Sequence, residues 1–321
     1  MHIKKLPAEL LIKIFSLVSN VDIYTVLVSI PSVNRKWRYI CMYYLNDVDI
    51  NISQLTKINN KKLFLYKFLY KINGIKSIYF NCFFDLKCEF WSLFKDKFYH
   101  LKYIDFTNFT RHNYGVTFDL VKFVPNLETI VFSSFMWIKI LEINKLKNLK
   151  KIKIPYNSRV DFDDYKNIFS SKLNTLEILD LKDCRYLAVD SLKLIAQNCP
   201  KLTELDIRGC ENCLDRELLN NYFNNLISYK CSCDDDDVFD ILITKNILHI
   251  YLEEYNYLGT IYDIKGCNYK LKSLTLIESN VNNNFLDKLT NICPNIEEFI
   301  IIECSDIILE SLTFKHTVIN I

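Results

Sequence analysis

Glycine and proline are scarce, at five and six residues in a chain of 321. Flexible linkers and low-complexity tails draw on those residues, so the scarcity excludes both and predicts modules that abut. A dominant charge is also lacking, because 40 basic residues face 38 acidic ones and leave a formal net charge of +2. So even a balance gives no pull toward nucleic acid or an anionic membrane, and neither is an expected partner. No apolar run approaches the roughly 18 residues of a membrane span. Behind the opening MHIKK, Glu9 and Lys13 interrupt the apolar stretch and no small-residue cleavage site follows, which argues against a signal peptide. The expected location is cytoplasmic, with the nucleus as the other option.

Catalytic chemistry is missing as well. The five histidines (His2, His100, His112, His249 and His316) are scattered, with no Ser-His-Asp or Cys-His pairing. No phosphate-cradling glycine loop occurs. The chain is therefore expected not to be an enzyme and to need no cofactor.

What is present is apolar surface. Half of the residues are hydrophobic and 14% are aromatic, enough to bury a large core. At the N-terminus, Pro7 sits where a helix start tolerates a missing N–H. Leu6, Leu10, Ile14, Val18 and their neighbours Leu11 and Phe15 then recur at helical spacing. A second short helix opens at Asp22 and stops at Pro31. Ser32 can cap a third, which carries Val33, Trp37 and Ile40 on one face. Three short helices cannot bury so much apolar surface among themselves. They need a partner.

This stretch resembles the F-box, the helical module that docks substrate receptors on the Skp-type linker of cullin-based ubiquitin ligases. The resemblance rests on Leu6-Pro7, Glu9-Leu10, Ile14-Phe15, Val18, Asp22-Ile23, Val33, Arg35 and Trp37. From Asp22 to Trp37 the spacing is about four residues longer than usual, close to one helical turn, so the apolar face keeps its phase. The resemblance implies a linker-binding surface of Leu6, Pro7, Leu10, Leu11, Ile14, Phe15 and Val18, with Trp37 bracing or contacting it.

A repeat follows. The pattern L-x-x-L-x-L begins at Ile75, Leu101, Leu127, Leu149, Leu176 and Leu202, weakens at Leu226 and Ile247, and returns at Leu271 and Ile296. Starts roughly 21 to 27 residues apart are the signature of leucine-rich repeats, each contributing one short parallel strand. Leu45 to Ile50 fits as an atypical first strand. Between strands, segments such as Val189 to Ala196 and Phe285 to Leu289 carry helical periodicity and should form the convex side. The unit from Cys184 to Cys210 is similar to the cysteine-containing subclass that commonly accompanies an F-box.

The expected fold is thus an α/β leucine-rich-repeat solenoid, with parallel strands on the concave face and helices on the convex face. An N-terminal three-helix F-box module over 1–44 precedes about ten to eleven repeats over 45–321.

Twelve cysteines suggest a metal site at Cys210-x-x-Cys213 with Cys231 and Cys233, or simple packing. Cys184, Cys210 and Cys304 share the ninth repeat position, where a small buried side chain fits, so packing is the reading adopted and no metal is expected. The run Asp234 to Asp237 reads as a solvated loop, with a basic partner or calcium as the alternative.

Side chains alternate along a strand, so repeat positions 3, 5 and 7 face away from the core. That assigns Tyr103 and Asp105, then Lys151 and Lys153, then Asp180 and Lys182, to a concave target-binding surface. Glu204, Asp206 and Arg208 follow, then His249, Tyr251 and Glu253. Ile277, Ile300 and Ile302 complete it as an apolar patch, which the segment from Ile307 to Ile321 either caps or leaves open.

Two functions fit. One is a substrate-recognition adaptor of a Skp–cullin–F-box type ubiquitin ligase, holding an unidentified target protein against the repeats. The other is a repeat scaffold unconnected with ubiquitin, with the N-terminal helices only a cap.

Overall fold

A computed structural model describes residues 7–19, 35–44, 48–51, 69, 74–81, 92–93, 95–108, 120–132, 143–156, 160–210, 216–232, 242, 246–255, 267–304 and 317–320. The chain forms two compact units, Met1–Leu149 and Lys150–Ile321. The second helix expected from Asp22 lies outside the described residues.

In the first unit, α1 (Ala8–Ser19) packs against α2 (Arg35–Tyr44). The Leu11 N–H bonds the Pro7 carbonyl at 3.2 Å, so the turn begins at the residue that has no N–H to lose. Then come β1 (Val48–Asn51), β2 (Ile75–Asn81), β3 (Tyr103–Asn108) and β4 (Thr129–Val131), paired in parallel in chain order. Two single-turn helices, α3 (Lys95–Phe98) and α4 (Leu120–Phe123), precede β3 and β4.

The second unit runs β5 (Lys151–Lys153), α5 (Phe162–Phe169), β6 (Ile178–Asp180), α6 (Val189–Asn198), β7 (Glu204–Asp206), α7 (Arg216–Tyr222) and β8 (Ser228–Ser232). It continues with β9 (His249–Glu253), β10 (Ser273–Ile277), α8 (Asn283–Ile292), β11 (Glu298–Ile302) and β12 (Thr317–Asn320). All eight strands pair in parallel, each with the next. Leucine-rich repeats account for this order, since each repeat supplies one strand and then returns behind it.

Core and register follow the pattern. Leu176, Leu179 and Leu181 are fully buried, and Leu271, Leu274 and Leu276 repeat the arrangement four strands further along. In the weak repeat, Tyr229 and Cys231 take the two leucine places and are equally buried. Three devices tie neighbouring repeats together. Ninth-position thiols bond the preceding repeat, Cys184 Sγ to the Ile154 carbonyl (2.9 Å) and Cys210 Sγ to the Leu181 carbonyl (3.1 Å). Asparagines placed just before a strand donate across the opposite edge, Asn126 to the Tyr99 carbonyl (2.9 Å), Asn225 to that of Pro200 (2.7 Å) and Asn295 to that of Tyr269 (2.8 Å).

The third device is a left-handed residue at repeat position 8. Tyr156, Asp183, Gly209, Glu254, Glu278 and Glu303 all have φ between 48° and 67°. That conformation turns the chain off the sheet while its N–H still reaches the next repeat: Asp183 bonds the Arg208 carbonyl (2.7 Å) and Glu278 that of Ile302 (2.9 Å). Only at Gly209 does the residue suit the backbone. A Cβ there would collide with the Asp183 carboxylate.

Candidate functional site

On α1, Leu10 and Ile14 lie one turn apart and are 48% and 39% exposed. Two large aliphatic side chains in water at (i, i+4) make a ready contact surface on the helix. Leu11, expected beside them, is buried at 1%. It faces the module's own interior because α2 closes over that side of α1, with Ile40 also buried. Leu11 is therefore a core residue and not a docking residue. Pro7 is exposed and Trp37 half-buried. Leu6 lies outside the described residues, as do the side chains of Phe15 and Val18.

The strand face of the first unit is aromatic. Tyr103 packs against Tyr79 with the rings tilted and their centroids 4.9 Å apart, and its hydroxyl donates to Asp105 Oδ2 at 3.0 Å. Burial, then the Asp105 charge, pushes the Tyr103 pKa far up. Asp105 also accepts the Thr107 N–H at 2.7 Å, so both its oxygens are engaged within its own strand.

The middle of the second unit's face is an ion-pair network. Lys153 pairs with Asp180 at 3.0 Å. Arg208 grips Asp206 with two bonds, Nε to Oδ1 (2.9 Å) and Nη2 to Oδ2 (2.8 Å). Glu253 accepts from Lys182 (2.9 Å) and from Arg208 (3.4 Å). The Asp206 hydrogen bond, working against burial, raises the Arg208 pKa. Asp206 was expected in solvent but is only 8% exposed, because the bidentate Arg208 fork covers it. Glu204 is exposed, and Lys151 and His249 are half-buried. Lys230, in a repeat too weak to single out from the pattern, sits 4.6 Å above the Tyr251 ring. These charges largely satisfy one another, and the network is better built to hold the face than to seize a ligand.

Toward β11 the chemistry changes. Ile277 and Ile302 are direct register partners, Ile300 lies on the same face, and all three are half-buried. Residues Thr317–Asn320 form β12 in parallel beside β11, so that part of the C-terminal segment extends the sheet instead of folding back over the patch. Cys213, Cys233 and Asp234 to Asp237 lie outside the described residues. Among the described residues no group of three or more His, Cys, Asp or Glu could hold a metal ion, and no helix is long and apolar enough to cross a membrane.

Residues 3–46 match the family model of the F-box domain. The N-terminal segment is an F-box domain. Its α1 carries the exposed Leu10 and Ile14, and the F-box leads directly into the first repeat strand at Val48. A comparison of the whole chain with curated proteins found no match. Among solved structures, the chain is similar to one in the Rad7 and Elc1 complex of yeast, with 17% identity, 84% of this chain and 71% of that one covered, and a TM-score of 0.52. At that identity the likeness concerns the fold. The leucine-rich repeat-containing protein LegL7 from Legionella pneumophila aligns at 13% identity over 74% of this chain and 87% of its own, with a TM-score of 0.45.

Proposed function

We propose that this protein is the substrate-recognition adaptor of a Skp–cullin–F-box type ubiquitin ligase. The observation that carries the reading is an F-box domain whose first helix leaves Leu10 and Ile14 in solvent, joined to repeats that offer a long strand face. F-box domains dock on Skp-type linkers, and the yeast structure with a similar fold was solved as a complex of Rad7 and Elc1. The repeats would hold a target protein, cytoplasmic or nuclear, near the ligase's transferase. No bond is made or broken by this chain; its contribution is proximity, raising the target's effective concentration at the charged enzyme.

Co-purification with a Skp-type linker tests the reading. Leu10→Ala with Ile14→Ala removes exposed side chains and no core, so the fold should survive. Loss of buried interface anchors costs about 2 kcal/mol or more, roughly thirtyfold in affinity. If the folded double variant captured the linker as well as wild type does, the N-terminal helices would be a cap and the protein a repeat scaffold outside ubiquitin transfer.

A further inference from the structure

Strand-face positions on β9 to β11 carry an unusual charge pattern. From His249 to Glu254, Ser273 to Glu278 and Glu298 to Glu303 there are five glutamates and no lysine or arginine. Glu253 is engaged by Lys182 and Arg208. The other four are exposed, and no ion pair to any of them is found among the described residues.

Three of the four, Glu254, Glu278 and Glu303, occupy the left-handed position 8 of successive repeats. Here the backbone prefers glycine. Neighbouring strands are about 4.8 Å apart, which also sets like charges side by side. The equivalent places in earlier repeats hold Tyr156, Asp183 and Gly209, so what sets these three repeats apart is an unbroken row of glutamates.

Between this row and Glu298 lie Ile277, Ile300 and Ile302. Beside them Thr275, only 2% exposed, holds a buried Oγ1 with no hydrogen-bond partner. A buried hydroxyl left unmade is costly, and a ligand's polar group would satisfy it.

We infer that the face of β9 to β11 docks a basic, apolar peptide segment of the partner protein: aliphatic side chains on the isoleucine patch, lysine or arginine on the flanking glutamates. Charge selects this occupant. Nucleic acid and anionic lipid are repelled by four uncompensated carboxylates. A second copy in isologous contact would set the same glutamate rows against each other. The self-neutralised network from Lys153 to Glu253 offers no comparable attraction. The inference rests on the adaptor reading only in taking this partner to be the captured target.

The experiment uses the full chain and a fluorescein-labelled peptide of alternating leucine and lysine, read by fluorescence anisotropy. Leucine–glutamate and serine–lysine peptides serve as comparisons. The leucine–lysine peptide should bind at least tenfold more tightly than either, and the difference should shrink with added salt. Glu278→Lys with Glu303→Lys should lower its affinity at least tenfold, while Asp163→Lys, a charge reversal at an exposed position on α5 and off the strand face, leaves it unchanged. Replacing Glu254, Glu278 and Glu303 by glycine should raise the melting temperature yet lose the peptide, which separates binding from folding. Equal binding of all three peptides, or unaltered binding by the folded charge-reversed variant, would overturn the inference. So would calcium raising the melting temperature of wild type but not of the triple glycine variant, which would make the row a cation site. Linker co-purification is measured in parallel on the same variants. Its loss in wild type would sink the adaptor reading alone, and peptide binding decides the surface alone.

Discussion

Lys182, just after β6, and Glu253, at the end of β9, meet at 2.9 Å although β7 and β8 lie between them. On a flat sheet three strand spacings separate them by roughly 14 Å, so both side chains must lie along the face to touch. Arg208, in sheet order between them, bonds the same Glu253 oxygen. One carboxylate thereby unites repeats that are not neighbours, with side chains only 15% to 22% exposed.

Removing that carboxylate should cost more than an ordinary surface pair. Glu253→Gln leaves two partly covered cations short of a counter-charge and should destabilise the protein by roughly 1–2 kcal/mol in urea unfolding. A double-mutant cycle with Lys182→Met should return a coupling of about 1 kcal/mol. A coupling near zero would reduce the network to incidental surface contact.

Position 8 yields opposite effects at two sites. Gly209→Ala should destabilise by roughly 1–2 kcal/mol from its left-handed backbone alone, and more from collision with the Asp183 carboxylate. Pairing it with Asp183→Gly should recover part of the loss. Glu278→Gly, which meets no such clash, should instead stabilise by a few tenths to about 1 kcal/mol. Midpoints of denaturant unfolding compare the set directly.

The asparagine clamps should behave alike in both units. Asn126→Ala, Asn225→Ala and Asn295→Ala each release one carbonyl on the strand-entry edge and should cost about 1 kcal/mol. Hydrogen exchange should rise first in the two repeats that each clamp joins. Uniform protection across the chain would show the clamps to be dispensable.

Burial pushes the Cys199 and Cys293 thiols from 9.0 up to about 12. Below pH 9 each is protonated in folded and unfolded chains alike, and its full contribution to stability is present. Between pH 9 and about 12 the unfolded chain ionises first, so stability falls as pH rises. Cys199→Ala with Cys293→Ala should flatten that alkaline decline in pH-dependent unfolding. At neutral pH, alkylation followed by peptide mass mapping should label exposed Cys267 well before Cys184, Cys199, Cys210, Cys231 or Cys293.

Strand register was legible because a period of two leaves little freedom: Leu179 and Leu181 must share one face, and they do. Ninth-position cysteines were legible for a similar reason, recurring where a small buried side chain fits. Helical periodicity alone did not separate Leu11 from Leu10 and Ile14. All three are aliphatic, and which side α2 covers is a fact of packing. The glutamate row escaped notice because position 8 lies outside the alternating strand, where a left-handed backbone has no apolar period to announce it.

Taken by itself, the sequence determined the repeat, its strand order, its buried leucines and the F-box segment, since each rests on local spacing that recurs. Only the tertiary structure decided which outward charges are engaged. Lys182 and Glu253 are 71 residues apart, and nothing in local spacing ties them. Their pairing depends on how far each side chain travels across the stacked strands. That geometry closes the middle of the face and leaves the acidic, isoleucine-bearing end open to a partner.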